Sequence, residues 1–218
     1  MFDPQCCTAI SRSVPQIANE KTSGAGNDEP TPADLLALNR ECRCWPIEAG
    51  DIVGSLPSAV GSALDERHEN LFAGTGVFLH AADLLAMRAQ IDAIEAVVVQ
   101  APYHARITAG ASATSDTRGV LMGYDFHLTA LGPRLIEINT NAGGAFLVSH
   151  LQRALGLPGV AKDNDLIDMF AREWHRSGAS GRLRTIAIVD DNPPEQYLFA
   201  DMLLAAETLR RHIDNVLI

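Results

Sequence analysis

Lysine is almost missing from this chain: Lys21 and Lys162 stand against fifteen arginines. Any chemistry that needs a lysine therefore has two candidates at most. Positive charge as a whole is scarce, with 17 basic residues against 27 acidic ones and a net charge of −10. Binding to a phosphate backbone needs a basic face, so nucleic acid is excluded as the main ligand. A nucleotide is not excluded, since a few local donors and a cation can hold one. No apolar run reaches the roughly 18 residues of a membrane span, and no membrane association is expected. Met1 to Ile10 contains Asp3 and no basic stretch before an apolar core, which is not a signal peptide. The four cysteines, Cys6, Cys7, Cys42 and Cys44, do not form the paired CxxC spacing of zinc ribbons. They are expected to be reduced thiols in a cytoplasmic protein. His80, His104, His127 and His150 lack HxH or HExxH spacing, and Ser112 and Ser115 have no nucleophile-elbow pattern. Trp45 and Trp174 read as packing residues.

What is present is an ordinary globular composition: 218 residues, 47% apolar and 20% charged. That length makes one large domain or two small ones and buries about 70% of the unfolded surface. Residues 1–32, with Pro4, Pro15, Pro30 and Pro32 and the polar tract from Thr22 to Asp28, read as a flexible arm. Thr31-Pro32-Ala33-Asp34 is a helix start, and the helix is expected to run to about Glu41. Residues 58–73 have helical spacing, and Gly74 and Gly76 turn the chain after them. Ala82 to Val99 is the strongest helix, with Leu85, Ala89, Ile91 or Asp92, Ile94 and Val98 recurring at three- and four-residue steps. The small, polar residues 108–118 form a loop.

The period then changes from helical to alternating. Val120–Leu128 and Arg134–Asn139 read as two strands joined by the turn residues 129–133, a hairpin. Helices are expected over 145–155 and from Asp163 or Asn164 to His175. Thr185–Val189 reads as a buried strand, Glu195–Arg211 as a helix, and Val216–Ile218 as the first residues of another strand. Strand, helix and strand make a βαβ unit. The stripe of that last helix is expected to be Leu198, Met202, Leu203, Ala206 and Leu209. The fold class is α/β or α+β: N-terminal helices, an antiparallel hairpin, and a partial parallel unit. The expected division is an arm over 1–32, a helical and hairpin part over 33–180, and the start of an α/β substrate domain over 181–218. A unit that stops there is expected to be truncated, with an open sheet edge near Ile186 and Ile188 that favours self-association into a homo-oligomer.

The hairpin carries the candidate chemistry. Strand side chains alternate, so Glu137 and Asn139 share one face while Ile136 and Ile138 share the other. Asp125 falls roughly opposite Glu137, and His127 points the same way as Asp125. Like charges facing each other across a ladder are destabilising unless something compensates. A hard cation does so, and carboxylate and amide oxygens suit Mg²⁺. Gly143-Gly144 follows ahead of a helix, where a backbone approaches ligands closely and N–H groups favour anions. A half-exposed hairpin with polar outer residues and a Gly-Gly turn accounts for the same alternation without any ligand.

The order Leu135-Ile136-Glu137-Ile138-Asn139-Thr140-Asn141 after an Asp-bearing strand resembles the metal-binding hairpin of the ATP-grasp superfamily. With Gly143-Gly144 it looks most like the circularly permuted, eukaryotic-type glutathione synthetases. The stretch from Arg184 to Leu198 resembles the strand-to-helix opening of the domain that follows in them, and the likeness covers about residues 118–212. It implies Mg²⁺ and ATP as cofactors, with Asp125, Glu137 and Asn139 as metal ligands and Asn141, Gly143 and Gly144 in the cofactor- and substrate-side loop. The family has an arginine beside the acid that holds the peptide substrate. Here Met122-Gly123-Tyr124 occupies that place, and Arg118 is the nearest upstream substitute. The implied activity is a carboxylate–amine ligase, which activates a small-molecule carboxylate as an acyl phosphate for attack by an amine. The family's phosphate-gripping lysines, Gly-rich lid and third metal carboxylate lie beyond the matched region, so this chain alone is expected to be inactive. The rival readings are a catalytically silent ATP-grasp-like binding protein and an unrelated α/β small-molecule-binding domain.

Overall fold

A computed structural model describes residues 30–41, 49–68, 71–72, 76–107, 109, 116–156 and 163–218. Most of the expected arm, all four cysteines, both lysines, Trp45, Gly74 and most of the 108–118 loop lie outside the described residues. The elements are helices α1 (Pro32–Arg40), α2 (Ala49–Gly54), α3 (Ser58–Gly61), α4 (Ala81–Val98) and α5 (Ala101–Ile107), strands β1 (Met122–Thr129) and β2 (Gly132–Thr140), helices α6 (Ala145–Ala154) and α7 (Asp163–Arg176), strand β3 (Thr185–Ala187), helix α8 (Phe199–Arg210) and strand β4 (Asn215–Leu217). The class is mixed α and β, as the sequence implies. β1 and β2 form an antiparallel pair, and β3 and β4 a parallel pair joined through α8. No helix among the described residues is long and apolar enough to cross a membrane.

Among the described residues, most of the core comes from the second half of the chain. Leu56, Val60, Phe146, Leu147 and Leu166 pack with Ala200, Leu204 and Ala205. Leu183, Ala206, Leu209, Ile213 and Val216 form the adjoining cluster under the parallel strands. α8 serves both, so residues on either side of position 181 share one core. The expected single stripe on α8 is too narrow. Ala200, Leu204 and Ala205 face the helices, while Ala206 and Leu209 face the strands. Met202 and Leu203 are only half-buried. Alanines let two layers approach the same helix closely, a feature that one-faced periodicity does not register.

Several boundaries differ from expectation for local reasons. Residues 58–73 do not form one helix. α3 is one turn long, and a 3₁₀ turn follows at Glu66–His68. There Asp65 is gripped by Arg67, whose Nε lies 2.9 Å from Oδ2, and its N–H donates to His68 Nδ1 at 3.0 Å. Side-chain capture of backbone groups competes with helix continuation. α8 starts at Phe199 rather than Glu195, because Asn192 has φ +47° and Pro193–Glu195 form a separate 3₁₀ turn. The first parallel strand is shorter than expected and only half-buried, with Val189 85% exposed. Ile186 packs into the cluster that α7 and α8 share.

α4 packs on the hairpin, where Gln90 Nε2 donates to the Pro133 carbonyl at 3.1 Å and the Tyr124 hydroxyl to Glu95 at 3.4 Å. Its inward residues are Ala86, Met87, Gln90, Ile91 and Ile94, all half-buried. The expected stripe shared Ile91 and Ile94, but Leu85, Ala89 and Val98 are exposed. The helix is apolar on most sides, so its periodicity does not single out one face.

Candidate functional site

The hairpin closes on a two-residue turn, Ala130-Leu131, tighter than the expected 129–133. Thr129 pairs with Gly132. Gly132 takes φ +96°, and the Thr129 hydroxyl donates to the Gly132 carbonyl at 2.7 Å. The register that follows pairs His127 with Arg134 and Phe126 with Leu135, then Asp125 with Glu137, Tyr124 with Ile138 and Gly123 with Asn139. Ile136 is therefore the extra residue of a β-bulge. It is 62% exposed and does not share a face with Ile138, contrary to strict alternation, and Ile138 is itself 39% exposed.

Beyond the bulge, alternation assigns Asp125, His127, Arg134, Glu137 and Asn139 to one face, and Tyr124, Phe126, Leu135 and Ile138 to the other. Tyr124 bonds α4, and Tyr124, Phe126 and Leu135 on the apolar side are half-buried while Ile138 is exposed. Asp125 and Glu137 are exposed and Asn139 is half-buried. Neither carboxylate has a hydrogen bond or ion pair to another described residue. Gly123, opposite Asn139, is held tight: a Cβ there would lie 3.2 Å from Ala142 Cβ and 3.4 Å from Asn139 Cβ. Two carboxylates and an amide oxygen make a hard-oxygen donor set of the kind magnesium takes. No group of three or more His, Cys, Asp or Glu side chains among the described residues forms a fuller metal cluster.

The loop after β2 is organised from within the chain. Asn141 has φ +54° and Gly144 φ +89°. Asp201 of α8 is 6% exposed and accepts from the Gly144 N–H at 2.9 Å and the Leu147 N–H at 2.8 Å. Burial pushes the Asp201 carboxyl above its ordinary range, and the N–H groups of Leu147, Gly144 and Phe146 pull it back down. The donors expected to meet a ligand anion at the start of α6 are thus already occupied by a carboxylate. A Cβ on Gly143 would lie 2.6 Å from Leu198 Cδ1, so its small size serves packing against α8.

The register sets Asp125, Glu137 and Asn139 on one face of the hairpin, and Arg118 lies before β1. The backbone N–H groups of Arg118 and Gly119 donate to Glu173 of α7, and the Arg118 side chain makes no ion pair with a described residue. Two features escape the sequence reading. Asp201 interrupts the apolar run of α8, and an acid within a buried stripe is the signal that finds it. Arg134 joins the polar face because the bulge reverses its side, which no fixed period reveals. Comparison with family models, with curated proteins and with solved structures found no match for this chain.

Proposed function

We propose that this chain carries the magnesium-binding hairpin of an ATP-dependent carboxylate–amine ligase of the ATP-grasp kind. The observation that supports it is the register: Asp125 directly opposite Glu137, with Asn139 two residues along on the same open face. Two facing carboxylates without a cationic partner are a liability that a bound divalent ion removes. Asp125, Glu137 and Asn139 would hold the ion, which would neutralise nucleotide phosphate charge when bound. The substrates are a small-molecule carboxylate and an amine. Asn141 and Gly143 lie at the near end of this face, directly after β2.

A second reading, a catalytically silent relative that binds without turnover, is favoured by Asp201. A buried carboxylate at the start of α6 repels phosphate from that turn. One experiment separates the two. The full chain is titrated with Mn²⁺, with and without ATP, and amide broadening is followed by NMR. Ligase ancestry with nucleotide binding predicts broadening centred on residues 123–139, tightened by ATP and abolished in Glu137→Gln. Broadening indifferent to ATP selects the silent reading. Broadening that bypasses the hairpin refutes both.

A further inference from the structure

We propose that a separate cleft, between α6, the start of α7 and α8, binds a small molecule through a phosphate-type oxyanion group. The cleft has a volume of about 600 Å³, and its lining includes Ser55, His150, Arg153, Asp163, Thr208 and Arg211. That volume is in the range of small-molecule sites. It shares no residue with the hairpin face.

The two guanidinium groups set its preference. In a chain of net charge −10, two guanidinium groups converge here on one carboxylate. Arg153 Nη1 lies 3.1 Å from Asp163 Oδ1, and Arg211 Nη1 lies 3.6 Å from Asp163 Oδ2. Asp163 thereby holds both heads at the opening. Ser149 takes a further bond from Arg153 at 2.9 Å, and Glu207 pairs with Arg211 Nη2 at 3.4 Å. Each guanidinium carries five N–H groups, more than its bonds to described residues use, and these are the donors for a ligand oxyanion. Pro57 and Leu204 supply apolar lining for the rest of the molecule.

Ser55 and His150 are linked to each other on the same wall. The Ser55 hydroxyl donates its single proton to the Ile52 carbonyl at 2.7 Å. His150 Nε2 lies 2.9 Å from Ser55 Oγ, so its N–H donates to that oxygen. This arrangement does not activate Ser55 as a nucleophile, because the histidine gives the proton rather than takes it. Nδ1 is left unprotonated in the neutral ring. Burial lowers the tendency of His150 to protonate, and the neighbouring Arg153 lowers it further. Asp163 and Glu207 are the opposing charges on α7 and α8. An oxyanion in the cleft reverses the balance and favours a second N–H on the imidazole.

The full chain, ¹⁵N-labelled, is titrated with inorganic phosphate, glycerol 3-phosphate and sulfate. Saturable shifts are expected at His150, Arg153 and Arg211, and sulfate, doubly charged throughout, should raise the midpoint of the His150 titration. Tighter binding of glycerol 3-phosphate than of phosphate assigns the cleft to a phosphorylated molecule, and equal binding to the free ion. Arg211→Gln should weaken binding by about 10-fold, the scale of one charge-assisted hydrogen bond. Arg88→Gln on α4 should leave it unchanged. Arg153→Gln gives the same readout should Arg211→Gln fail to fold. Absence of saturable shifts in the cleft, or equal weakening by Arg88→Gln, overturns the proposal.

Discussion

Replacing Asp201 with alanine tests how α6 is held to the core. The carboxylate is 6% exposed and accepts the N–H groups of Gly144 and Leu147 at 2.9 and 2.8 Å. Alanine supplies no acceptor and leaves both donors facing a dry interior. An unsatisfied buried donor costs about 1–3 kcal/mol, and loss of a helix cap about 0.5–2 kcal/mol. These overlap, so the expected loss is about 2–4 kcal/mol. At roughly 2–4 °C per kcal/mol for a chain of this size, the melting temperature falls by roughly 4–16 °C. Asp201→Asn keeps one acceptor oxygen and should lose about half as much as alanine does. The sign of its pH dependence is fixed by burial. A carboxyl whose folded pKa is raised contributes stability fully present below the ordinary aspartate value of 3.8. That contribution is lost as the pH rises from there through the folded value. Asparagine does not titrate, so the gap between wild type and Asp201→Asn narrows across that window. Urea unfolding at several pH values reads both effects. A midpoint for Asp201→Ala within about 0.5 kcal/mol of wild type refutes the cap, since surface changes fall within that range.

Other perturbations have equally definite signs. Gly144→Ala forces a side chain into φ +89° and should cost about 1–2 kcal/mol by thermal melting, although the space beside it is open. The Arg67 guanidinium beside Asp65 holds its carboxyl down at about 2. Its contribution is present above pH 3.8 and should fade as the pH falls from there to about 2, an acid limb that Asp65→Asn removes. Leu209→Ala, at a fully buried position in the cluster under the parallel strands, should cost about 2–5 kcal/mol in urea unfolding.

What the sequence discloses depends on whether one physical rule governs the segment. The start of α1 is legible because Thr31 and Asp34 each cap the other's N–H, with Pro32 at the first turn. The hairpin is legible because alternation and turn residues mark it, but the pairing of Asp125 with Glu137 rests on the bulge, since the register carried on from the turn would set Asp125 against Ile136. Ile136 escapes because a bulge adds a residue without a compositional mark. The break after α3 escapes because it rests on Asp65, Arg67 and His68 acting on one another and on residue 197. His68 Nε2 donates to the Tyr197 carbonyl at 2.8 Å, across more than a hundred residues of chain. The cleft escapes for the same reason: Ser55, His150, Asp163 and Arg211 come from four separate stretches.

The location of the hairpin has a practical consequence for the proposed chemistry. The clusters that hold the chain together draw on residues 56–72, Leu121 and residues 146–216, and no hairpin or α4 residue contributes to them. α4 has no buried residue of its own. The polar face of Asp125, Glu137 and Asn139 thus stands on a layer whose own packing is thin. Elements with few buried apolar contacts open at lower free energy than the global transition. Removing one of two facing carboxylates relieves repulsion worth about 0.2–1 kcal/mol. Glu137→Gln is therefore expected to be as stable as wild type or slightly more so when no divalent ion is present. The balance reverses once an ion binds, because only wild type gains from it. A cation-dependent crossover in the stability of the two proteins, followed by hydrogen exchange in residues 122–140, separates a metal face from a solvated hairpin. If wild type gains nothing over Glu137→Gln at saturating Mg²⁺, the two carboxylates are surface charges and the ligase reading loses its support.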